Sequence, residues 1–325
     1  MRAIQYHDAG EPSVLQVDEI DRPTPGSNDI LVEIRAASIN PTDAKRRMRG
    51  TGPLPKTTGS DFAGVVEAVG SNVTRFEPGD RVCGTGLHTT RFQQGSFAEY
   101  VAAPEDIVSE LPESVSFEQG AAIALVGVTA WRALVDHAGI EPGETCLVHG
   151  GTGGVGHVAV QLASLVNAHT VATVGSAEHE AVATDLGADA VARYDSETLL
   201  DDVLETAPDG FDVIVDHRVH DYFTFDIEAA AFDGRLVHYG GVEGEVTHSR
   251  QAMVKNLTTK VMTMSNLATR PELPRISTVL DNVLDLADRG LLEAEIARVY
   301  DLDDAAEVHR SLMEDSFVGK LVVTP

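Results

Sequence analysis

The sequence predicts an α/β protein that joins a β-rich domain to a doubly wound parallel sheet of six strands. Three features lead to this prediction. Residues 1 to about 120 contain many turn signals and few segments of helical period. The residues that follow, to about 264, alternate apolar strand-like runs with helix-like segments. A glycine-rich stretch comes after the first of these runs and opens a helix-like segment.

The N-terminal region is predicted to form short strands separated by turns. Turn signals lie at residues 23–26, 50–53 and 77–80. Strand-like runs lie at residues 30–35, 63–69, 81–84 and 96–101. Short strands bounded by glycine and proline in this way are typical of a compact β-rich domain.

The middle and end of the chain complete the predicted fold. Strand-like runs lie at 145–149, 170–174, 190–192, 211–216, 235–239 and 260–264, with helices expected at 178–186 and 222–232. Later residues predict helices at 276–289 and 303–313 and a strand at 319–324. The parallel sheet is already complete by residue 264, so the tail should return to the first domain. The expected domains are therefore 1–121 with 265–325, and 122–264.

The glycine-rich stretch has the spacing of a phosphate-binding loop. An apolar run at residues 146–148 precedes Gly151, Gly153 and Gly156, and a helix-like segment follows. Glycine here permits a tight turn, close approach of a pyrophosphate and close packing of helix on strand, while the helix N-terminus favours phosphate. The predicted dinucleotide loop comprises Gly151, Thr152, Gly153, Gly154, Val155 and Gly156. The plain alternative is an ordinary glycine loop; the strand before it and the helix after it favour the dinucleotide.

The charge balance and the apolar runs exclude several partners. A formal charge of −27, spread along the chain, makes a nucleic-acid partner unexpected and indicates adaptation to a salty cytoplasm rather than one acidic tail. Two cysteines, Cys83 and Cys146, fit a reducing compartment and cannot form a cysteine-rich zinc site. Residues 1–8 lack a signal-peptide pattern, and the longest apolar stretch, 121–131, is too short to cross a bilayer. We therefore expect a cytoplasmic protein without membrane contact.

Six stretches along nearly the whole chain carry a family resemblance. They are AASINPTD at 36–43, GSDFAGVVEAVG at 59–70, GVTAWR at 127–132, VHGGTGGVG at 148–156, LGAD at 186–189 and GK at 319–320. Together they resemble the zinc-independent, zeta-crystallin-like quinone oxidoreductase branch of the medium-chain dehydrogenase/reductase superfamily. The resemblance implies a GroES-like fold for the first domain, a homodimer, and NADPH-dependent transfer of hydride or electrons to a quinone or conjugated enone. Two alternatives stay open: an enoyl-type reductase acting on a thioester or carboxylate, and a non-catalytic NADPH-binding protein.

The resemblance also predicts a site without metal. Zinc-dependent members of the superfamily carry a cysteine where this chain has Asn40, and Gly-His-Glu where it has Gly59, Ser60 and Asp61. Asparagine and serine are poor zinc ligands, and the 12 histidines contain no H-x-x-x-H pair. Without a Lewis acid, a readily reduced quinone or enone suits the site better than an alcohol.

The residues after the second strand of the parallel sheet bear on the choice of nicotinamide cofactor. NAD-specific sites place an acid there for the ribose 2′-hydroxyl, whereas this chain has Gly175 and Ser176. Gly175 leaves room for a 2′-phosphate, and the Ser176 hydroxyl can donate to it. Relatives follow with a lysine or arginine, but this chain has His179 between two glutamates. NADPH is therefore favoured, with NADH as the alternative.

The resemblance assigns further residues to the cofactor. It places Asn40 and Thr129 beside the nicotinamide, Tyr194 at the adenosine end and Lys320 at the phosphates. Residues expected to line the cofactor after the fifth and sixth strands are Tyr239, Gly240, Gly241, Met264 and Ser265. The plain alternatives are that Tyr194 is a surface tyrosine, that Thr129 is an ordinary helix residue and that Gly240 and Gly241 form a simple turn.

Asp43 is the acid expected nearest the chemistry, where either it or solvent would supply a proton. Its alternative is an N-terminal cap for a helix at residues 44–48. The basic run at residues 45–49 is either a solvated face or a site that attracts an anionic substrate or the cofactor phosphates. Relatives often carry a tyrosine near Lys45, which leaves the substrate pocket undetermined. A dimer is expected to pair through residues 253–261 and the sixth strand.

Overall fold

The computed structural model describes residues 1–86, 94–241, 244–270 and 272–325, with the backbone alone at Ala268. Contacts divide the chain into two compact units. Unit 1 comprises Met1–Val128 and Met264–Pro325, and unit 2 comprises Thr129–Thr263. Antiparallel strands dominate unit 1, and a parallel sheet fills unit 2.

The first part of unit 1 is built mainly of strands. Its elements are β1 (Arg2–Tyr6), β2 (Leu15–Glu19), β3 (Asp29–Ser38), α1 (Pro41–Arg49), β4 (Lys56–Thr57), β5 (Asp61–Val69), β6 (Arg81–Thr85), β7 (Tyr100–Pro104) and β8 (Val108–Glu110). Strands β2, β1 and β4 form one small antiparallel sheet in that order. Ile30 and Val32 of β3 and Phe62 of β5 are fully buried, and they belong to the core of the unit.

A long apolar helix follows β8. Helix α2 covers Phe117–Trp131, and a π-helical segment extends it over Arg132–Ala138. By length and composition alone, the 22 residues Phe117–Ala138 could cross a membrane, because the helix extends on both sides of the apolar stretch 121–131. However, 78% of the apolar window is buried inside the protein, as in the core helix of a folded domain.

Unit 2 is a doubly wound sheet. Its elements are β9 (Thr145–Val148), α3 (Gly156–Leu165), β10 (His169–Val174), α4 (Ala177–Asp185), β11 (Ala190–Arg193), α5 (Leu199–Thr206), β12 (Phe211–Asp216), α6 (Val219–Ala229), β13 (Ala230–Tyr239), α7 (Arg250–Val254) and β14 (Thr258–Met262). The strand order is β11-β10-β9-β12-β13-β14, and every neighbouring pair is parallel, which confirms the predicted fold class. The order reverses between β9 and β12, and sheets of this kind bind ligands beyond the carboxyl ends of such strands.

The last residues add to unit 1. They form α8 (Ser265–Thr269), α9 (Ile276–Asp288), β15 (Ile296–Asp301), α10 (Ala305–Glu314) and β16 (Lys320–Thr324). Strand β16 pairs with β3 in antiparallel fashion, with Val322 opposite Ser38. The larger sheet therefore runs β15-β16-β3-β5-β6-β8, with β7 also paired to β3. This pairing brings Lys320, the first residue of β16, to the end of β3.

Most predicted elements differ by a few residues from the observed ones, and for three of them the contacts give the reason. The helix expected at 222–232 ends earlier, at Ala229, because residues 230–232 begin β13. At this point Lys255 Nζ donates to the carbonyls of Glu228 and Ala230, at 2.7 and 2.6 Å. The sixth strand is β14 rather than 260–264, since it pairs residue by residue with 235–239 of β13. The strand expected at 96–101 is β7, because Ser96 and Phe97 bond to backbone carbonyls of residues 59 and 58 instead.

Candidate active site

Glycines shape the loop after β9. Gly150 has a left-handed backbone (φ +68°), and a side chain there would meet His217. A Cβ on Gly151 would lie 2.6 Å from the Ala172 side chain on β10. A Cβ on Gly156, the first residue of α3, would lie 1.9 Å from Gly150 O. Alanine at either position would displace its neighbours, so glycine allows the N-terminus of α3 to pack closely on the loop.

Four predicted cofactor residues lie near the start of α4. Thr152 Oγ1 lies 2.9 Å from His179 Nδ1. Ser176 precedes α4 with an extended backbone, and its side chain makes no capping hydrogen bond. A Cβ on Gly175 would meet nothing within 4 Å. Two hydroxyls and an imidazole, with open space beside them, form a suitable hydrogen-bonding environment for an anion.

His217 belongs to no sequence motif, yet it links the carboxyl ends of three neighbouring strands. It follows β12, and its carbonyl accepts a hydrogen bond from Gly241 N after β13 at 3.1 Å. Its ring stacks on Tyr239 with centroids 6.2 Å apart, and it lies against Gly150 after β9. Burial lowers the pKa of His217, so its ring is neutral at pH 7.

Two more predicted residues lie beside Gly150 and His217. Tyr194 follows β11, and its hydroxyl lies 3.1 Å from the position of a Cβ on Gly150. Burial raises the pKa of Tyr194 to about 12, so the phenol stays protonated at neutral pH. Gly240 has φ +82°, a conformation that few other residues adopt, and it turns the chain past His217.

Thr129, Met264 and Ser265 complete the predicted set. Thr129 lies on α2, Met264 directly precedes α8 and Ser265 begins it. Thr129 and Met264 are buried. Their contact with a cofactor stays a prediction.

A buried polar cluster in unit 1 surrounds Asn40. Asn40 and Asp43 form a capping box for α1, in which Asp43 Oδ2 accepts the Asn40 backbone N–H at 2.9 Å. Asn40 is the N-cap of α1, so Asp43 is not the cap of a helix at 44–48, although it takes part in capping α1. The side-chain amide of Asn40 donates to Asp61 Oδ2 at 2.7 Å. Its oxygen accepts a hydrogen bond from Lys320 Nζ at 2.6 Å. Each of these four residues is at most 3% exposed, so the cluster is shielded from bulk water.

Lys320 makes further contacts in this cluster. Its ammonium also donates to Ile39 O at 2.6 Å and lies 3.9 Å from Asp61 Oδ2. These contacts engage the buried ammonium within unit 1, where the pairing of β16 with β3 places it. Contact of Lys320 with the cofactor phosphates stays a prediction. The predicted site residues do not include Asp61, which begins β5 two residues before the strand expected at 63–69.

Two carboxyl groups share one ammonium in this cluster. Burial, followed by repulsion from Asp61, raises the pKa of Asp43 from 3.8 to about 7. Burial also raises the pKa of Asp61 and lowers the pKa of Lys320, while their mutual attraction opposes both shifts. With Asp61 and Lys320 ionised, the cluster is neutral when Asp43 is protonated. Asp43 is therefore a buried acid that can hold or release a proton near pH 7.

A small cavity of about 20 Å³, enough for about one water, lies beside Asp43. Its lining comprises Tyr6, Asp43, Arg46, Lys56, Thr57, Thr58 and Gly59. The buried hydroxyl of Tyr6 has no hydrogen-bond partner among the described residues. Arg46 thus borders the acid, whereas Arg47 is 0% exposed. The basic run at 45–49 is therefore not a solvated face throughout.

Comparisons with known proteins identify the family. The alcohol dehydrogenase GroES-like domain matches residues 26–113, and the zinc-binding dehydrogenase family matches residues 154–282. Human quinone oxidoreductase is 31% identical over 99% of this chain and 97% of its own length. The Pseudomonas aeruginosa quinone oxidoreductase is 32% identical over 100% of this chain and 99% of its own length. The chain belongs to the quinone oxidoreductase family. Its predicted place in the medium-chain dehydrogenase/reductase superfamily is confirmed.

Solved structures agree with this assignment. An NAD-dependent alcohol dehydrogenase is 32% identical with a TM-score of 0.91, and each chain is covered over 100%. The Escherichia coli quinone oxidoreductase complexed with NADPH is 29% identical with a TM-score of 0.88, again over 100% of both chains. Among sequence relatives, a mycocerosic acid synthase-like polyketide synthase of Mycolicibacterium smegmatis is 31% identical over 97% of this chain, which corresponds to 15% of that protein. The predicted combination of a GroES-like domain with a Rossmann sheet is confirmed.

Proposed function

We propose that this protein is an NADPH-dependent reductase that transfers hydride to a quinone or a conjugated enone. The observation that carries the proposal is the likeness to quinone oxidoreductases over almost the full chain, 99% of it for the human relative. Unit 2 contributes the glycine loop for the dinucleotide, and unit 1 contributes a buried acid. A cofactor site and a proton source are what this reaction requires of the protein.

The described residues of unit 2 support NADPH as the cofactor. When bound, NADPH supplies the hydride, and the protein binds and orients it. The N-terminus of α3, packed against its loop at Gly156, presents N–H groups suited to the pyrophosphate. Thr152, Ser176 and His179 offer hydrogen bonds to a 2′-phosphate, in place of the acid that NAD sites use. A relative complexed with NADPH adds support, and an NAD-dependent relative keeps NADH as the alternative.

Asp43 supplies the proton in this proposal. Reduction of a quinone by hydride leaves an oxygen that needs one proton. Asp43 Oδ2 accepts the Asn40 N–H, so Oδ1 is the oxygen that carries the proton. A pKa of about 7 allows both release to the product and uptake from solvent at neutral pH.

The charges around Asn40 support a reaction without a metal ion at that place. Lys320 Nζ lies 2.6 Å from Asn40 Oδ1, and a buried ammonium at this distance repels a divalent cation. Ser60 offers only a hydroxyl, which is a poor zinc ligand. Quinones and enones accept hydride readily, so the reaction does not depend on a Lewis acid.

A steady-state screen in molar potassium chloride tests the proposed function. NADPH and NADH are each offered with quinones, enals and enoyl thioesters, and oxidation of the nicotinamide is followed. We expect quinone-dependent oxidation of NADPH, with kcat/KM at least about tenfold above that for NADH. Stoichiometric binding of NADPH without oxidation by any acceptor would instead indicate a non-catalytic NADPH-binding protein.

An enoyl-thioester or carboxylate reductase is the second candidate function. The likeness to a segment of a polyketide synthase favours it. Basic side chains of Arg46 and Lys56 line the cavity beside Asp43, and they suit a substrate that carries negative charge. A higher kcat/KM for an enoyl thioester than for every quinone in the screen would establish this alternative.

Asp43→Asn is expected to remove the pH dependence that Asp43 gives to quinone reduction. In the wild type, kcat/KM should fall about tenfold per pH unit above pH 7, as the donor proton is lost through a pKa of about 7. The variant should be about 100-fold slower at pH 6 and lack this fall. Steady-state rates of both proteins between pH 5 and pH 9 provide the comparison.

Stability gives a second readout of the same variant. Because the folded pKa of Asp43 lies above 3.8, its contribution to stability is full below about pH 4 and is lost as the pH rises to about 7. Asparagine keeps an acceptor for the Asn40 N–H, so Asp43→Asn should have a higher Tm than the wild type at pH 8 but not at pH 4. Parallel pH profiles of kcat/KM in the two proteins would contradict a role for Asp43 as proton donor.

Arg46→Gln is expected to raise KM about fivefold for an anionic quinone and to leave KM for a neutral quinone unchanged. Arg46 is half-buried at the cavity beside Asp43, where it can attract a negative group. Arg47 is unsuitable for this test because it is fully buried. Lys45→Gln, which changes an exposed cation on the same helix, is the control and should leave both KM values unchanged. The same KM for the anionic quinone in Arg46→Gln and wild type would exclude electrostatic attraction by Arg46.

We further propose a cytoplasmic homodimer adapted to high salt. Strand β14 ends the order of the parallel sheet, and Met253, Val254 and Val261 near it are 80%, 67% and 61% exposed. An apolar sheet edge of this kind favours pairing with a second copy. The net charge of −27 is screened in molar salt. Sedimentation should find a wild-type dimer and a Val261→Lys monomer, and a wild-type monomer would contradict the proposal.

A further inference from the structure

Unit 2 contains a second buried polar cluster, formed by His149, Asp216, Asp226 and His238. His149 follows β9 and Asp216 ends β12, while Asp226 lies on α6 and His238 on β13. All four residues are 0% exposed. They lie in four separate parts of the sequence, so no sequence motif predicts that they form a cluster. The cofactor and acid–base residues proposed above do not include them.

One oxygen of each carboxylate is already occupied by the protein. Asp226 Oδ1 lies 2.9 Å from His149 Nε2, and His149 Nδ1 lies 3.1 Å from Thr173 Oγ1. Asp216 Oδ1 accepts the backbone N–H of Arg218 at 2.6 Å. These contacts fix the orientation of both carboxylates and leave Oδ2 of each for another partner.

The two remaining oxygens converge on an imidazole. Asp216 Oδ2, Asp226 Oδ2 and both ring nitrogens of His238 have no hydrogen-bond partner among the described residues. His238 Nδ1 lies 3.4 Å from Asp216 Oδ2 and 4.0 Å from Asp226 Oδ2, and the three atoms lie within 4.8 Å of one another. A charge-assisted hydrogen bond would measure about 2.7–2.9 Å. Ligand atoms about 2.0–2.2 Å from one zinc ion lie roughly 3–4 Å apart, and the distances of His238 Nδ1 from the two carboxylate oxygens, 3.4 and 4.0 Å, lie in that range.

The negative charge of the two carboxylates also favours a bound cation. When both are ionised, the two buried carboxylates carry a net charge of about −2, which is strongly unfavourable away from water. A divalent ion between the three free ligand atoms cancels all of it.

We propose that Asp216, Asp226 and His238 bind a divalent metal ion, and that Zn²⁺ is the ion that one imidazole and two carboxylates fit best. His149 supports Asp226 from outside the coordination shell. Because all its ligands are fully buried, the ion has a structural role: it ties β12, β13 and α6 together. This site is separate from the Asn40 cluster of unit 1, where no metal is proposed.

Metal analysis and thermal unfolding of the full chain test this proposal. Protein expressed with zinc and then desalted should contain about one Zn²⁺ per chain. Zinc added to metal-depleted protein at about 100 times its Kd should raise Tm by about 5–10 °C. Cobalt in place of zinc should give visible ligand-field absorption. Less than about 0.1 zinc per chain, with no change in Tm on addition, would overturn the proposal.

Variants locate the ion. His238→Gln and Asp226→Asn should each lose the bound zinc and the rise in Tm, and the second keeps the side-chain volume in case the first folds poorly. His309→Gln replaces an equally buried histidine of unit 1, and this variant should keep both the bound zinc and the rise in Tm. Zinc retained by both His238→Gln and Asp226→Asn would contradict the assignment. Zinc lost from Asn40→Ala but retained by those two variants would place the metal in unit 1 and overturn it as well.

Discussion

Gly156→Ala is expected to bind NADPH about 100-fold more weakly than the wild type. The added Cβ would lie 1.9 Å from Gly150 O, far inside van der Waals contact, so the loop and the N-terminus of α3 must move apart. That movement takes helix N–H groups away from the pyrophosphate. A loss of about 3 kcal/mol, at the upper end for an overpacked site, corresponds to this change in Kd. Titration of NADPH fluorescence with purified protein measures it.

Gly175→Ala is the matched control for this variant. Its added Cβ would meet nothing within 4 Å, so the protein should keep the wild-type Tm and bind NADPH within about threefold of wild type. A Gly156→Ala protein with the wild-type Kd for NADPH would refute the role given to the glycine loop.

Lys320→Met is expected to lower Tm by about 10 °C. The substitution leaves Asp61 buried without its cation and removes the donor from Asn40 Oδ1 and Ile39 O. Breaking a buried ion pair from one side costs about 3–5 kcal/mol, and each kcal/mol shifts Tm by about 2–4 °C in a domain of this size. The pKa of Asp43 should also rise, because its attraction to Lys320 lowers this pKa in the wild type and is lost in the variant. Thermal unfolding followed by circular dichroism, with the pH profile of kcat/KM, measures both effects.

The double variant Lys320→Met with Asp61→Asn is the control. Removing both charges together leaves no unpaired ion, so most of the lost stability should return. If the decrease in stability of the double variant equals the sum of the decreases in the two single variants, Lys320 and Asp61 do not interact as the structure indicates.

The dinucleotide loop could be predicted because its determinants are local. A buried strand, spaced glycines and a following helix lie within one short segment, and the structure accounts for Gly151 and Gly156 by close packing. Gly150 was not singled out, because the group that restricts it is His217, which reaches the loop from a neighbouring strand. A contact of that kind depends on strand order, which sequence periodicity does not specify.

The acid cluster could be predicted only in part. The capping box of Asn40 and Asp43 follows from their spacing, but the pKa of Asp43 depends on Asp61 and Lys320, which strand pairing brings to it. Lys320 stands 280 residues from Asn40, so its burial could not be foreseen from its neighbours in sequence. The same holds for His238, whose partners lie on other elements.

The most direct test of hydride transfer from NADPH to a quinone is a single-turnover experiment. Protein in excess is loaded with NADPH that carries deuterium or hydrogen at the transferred position and is then mixed with a quinone. We predict stoichiometric conversion of the quinone to hydroquinone, a slower reaction with deuterium, and almost no reaction in Gly156→Ala. NADPH that stays unoxidised with every quinone, or that is oxidised equally fast by Gly156→Ala, would contradict the proposed function.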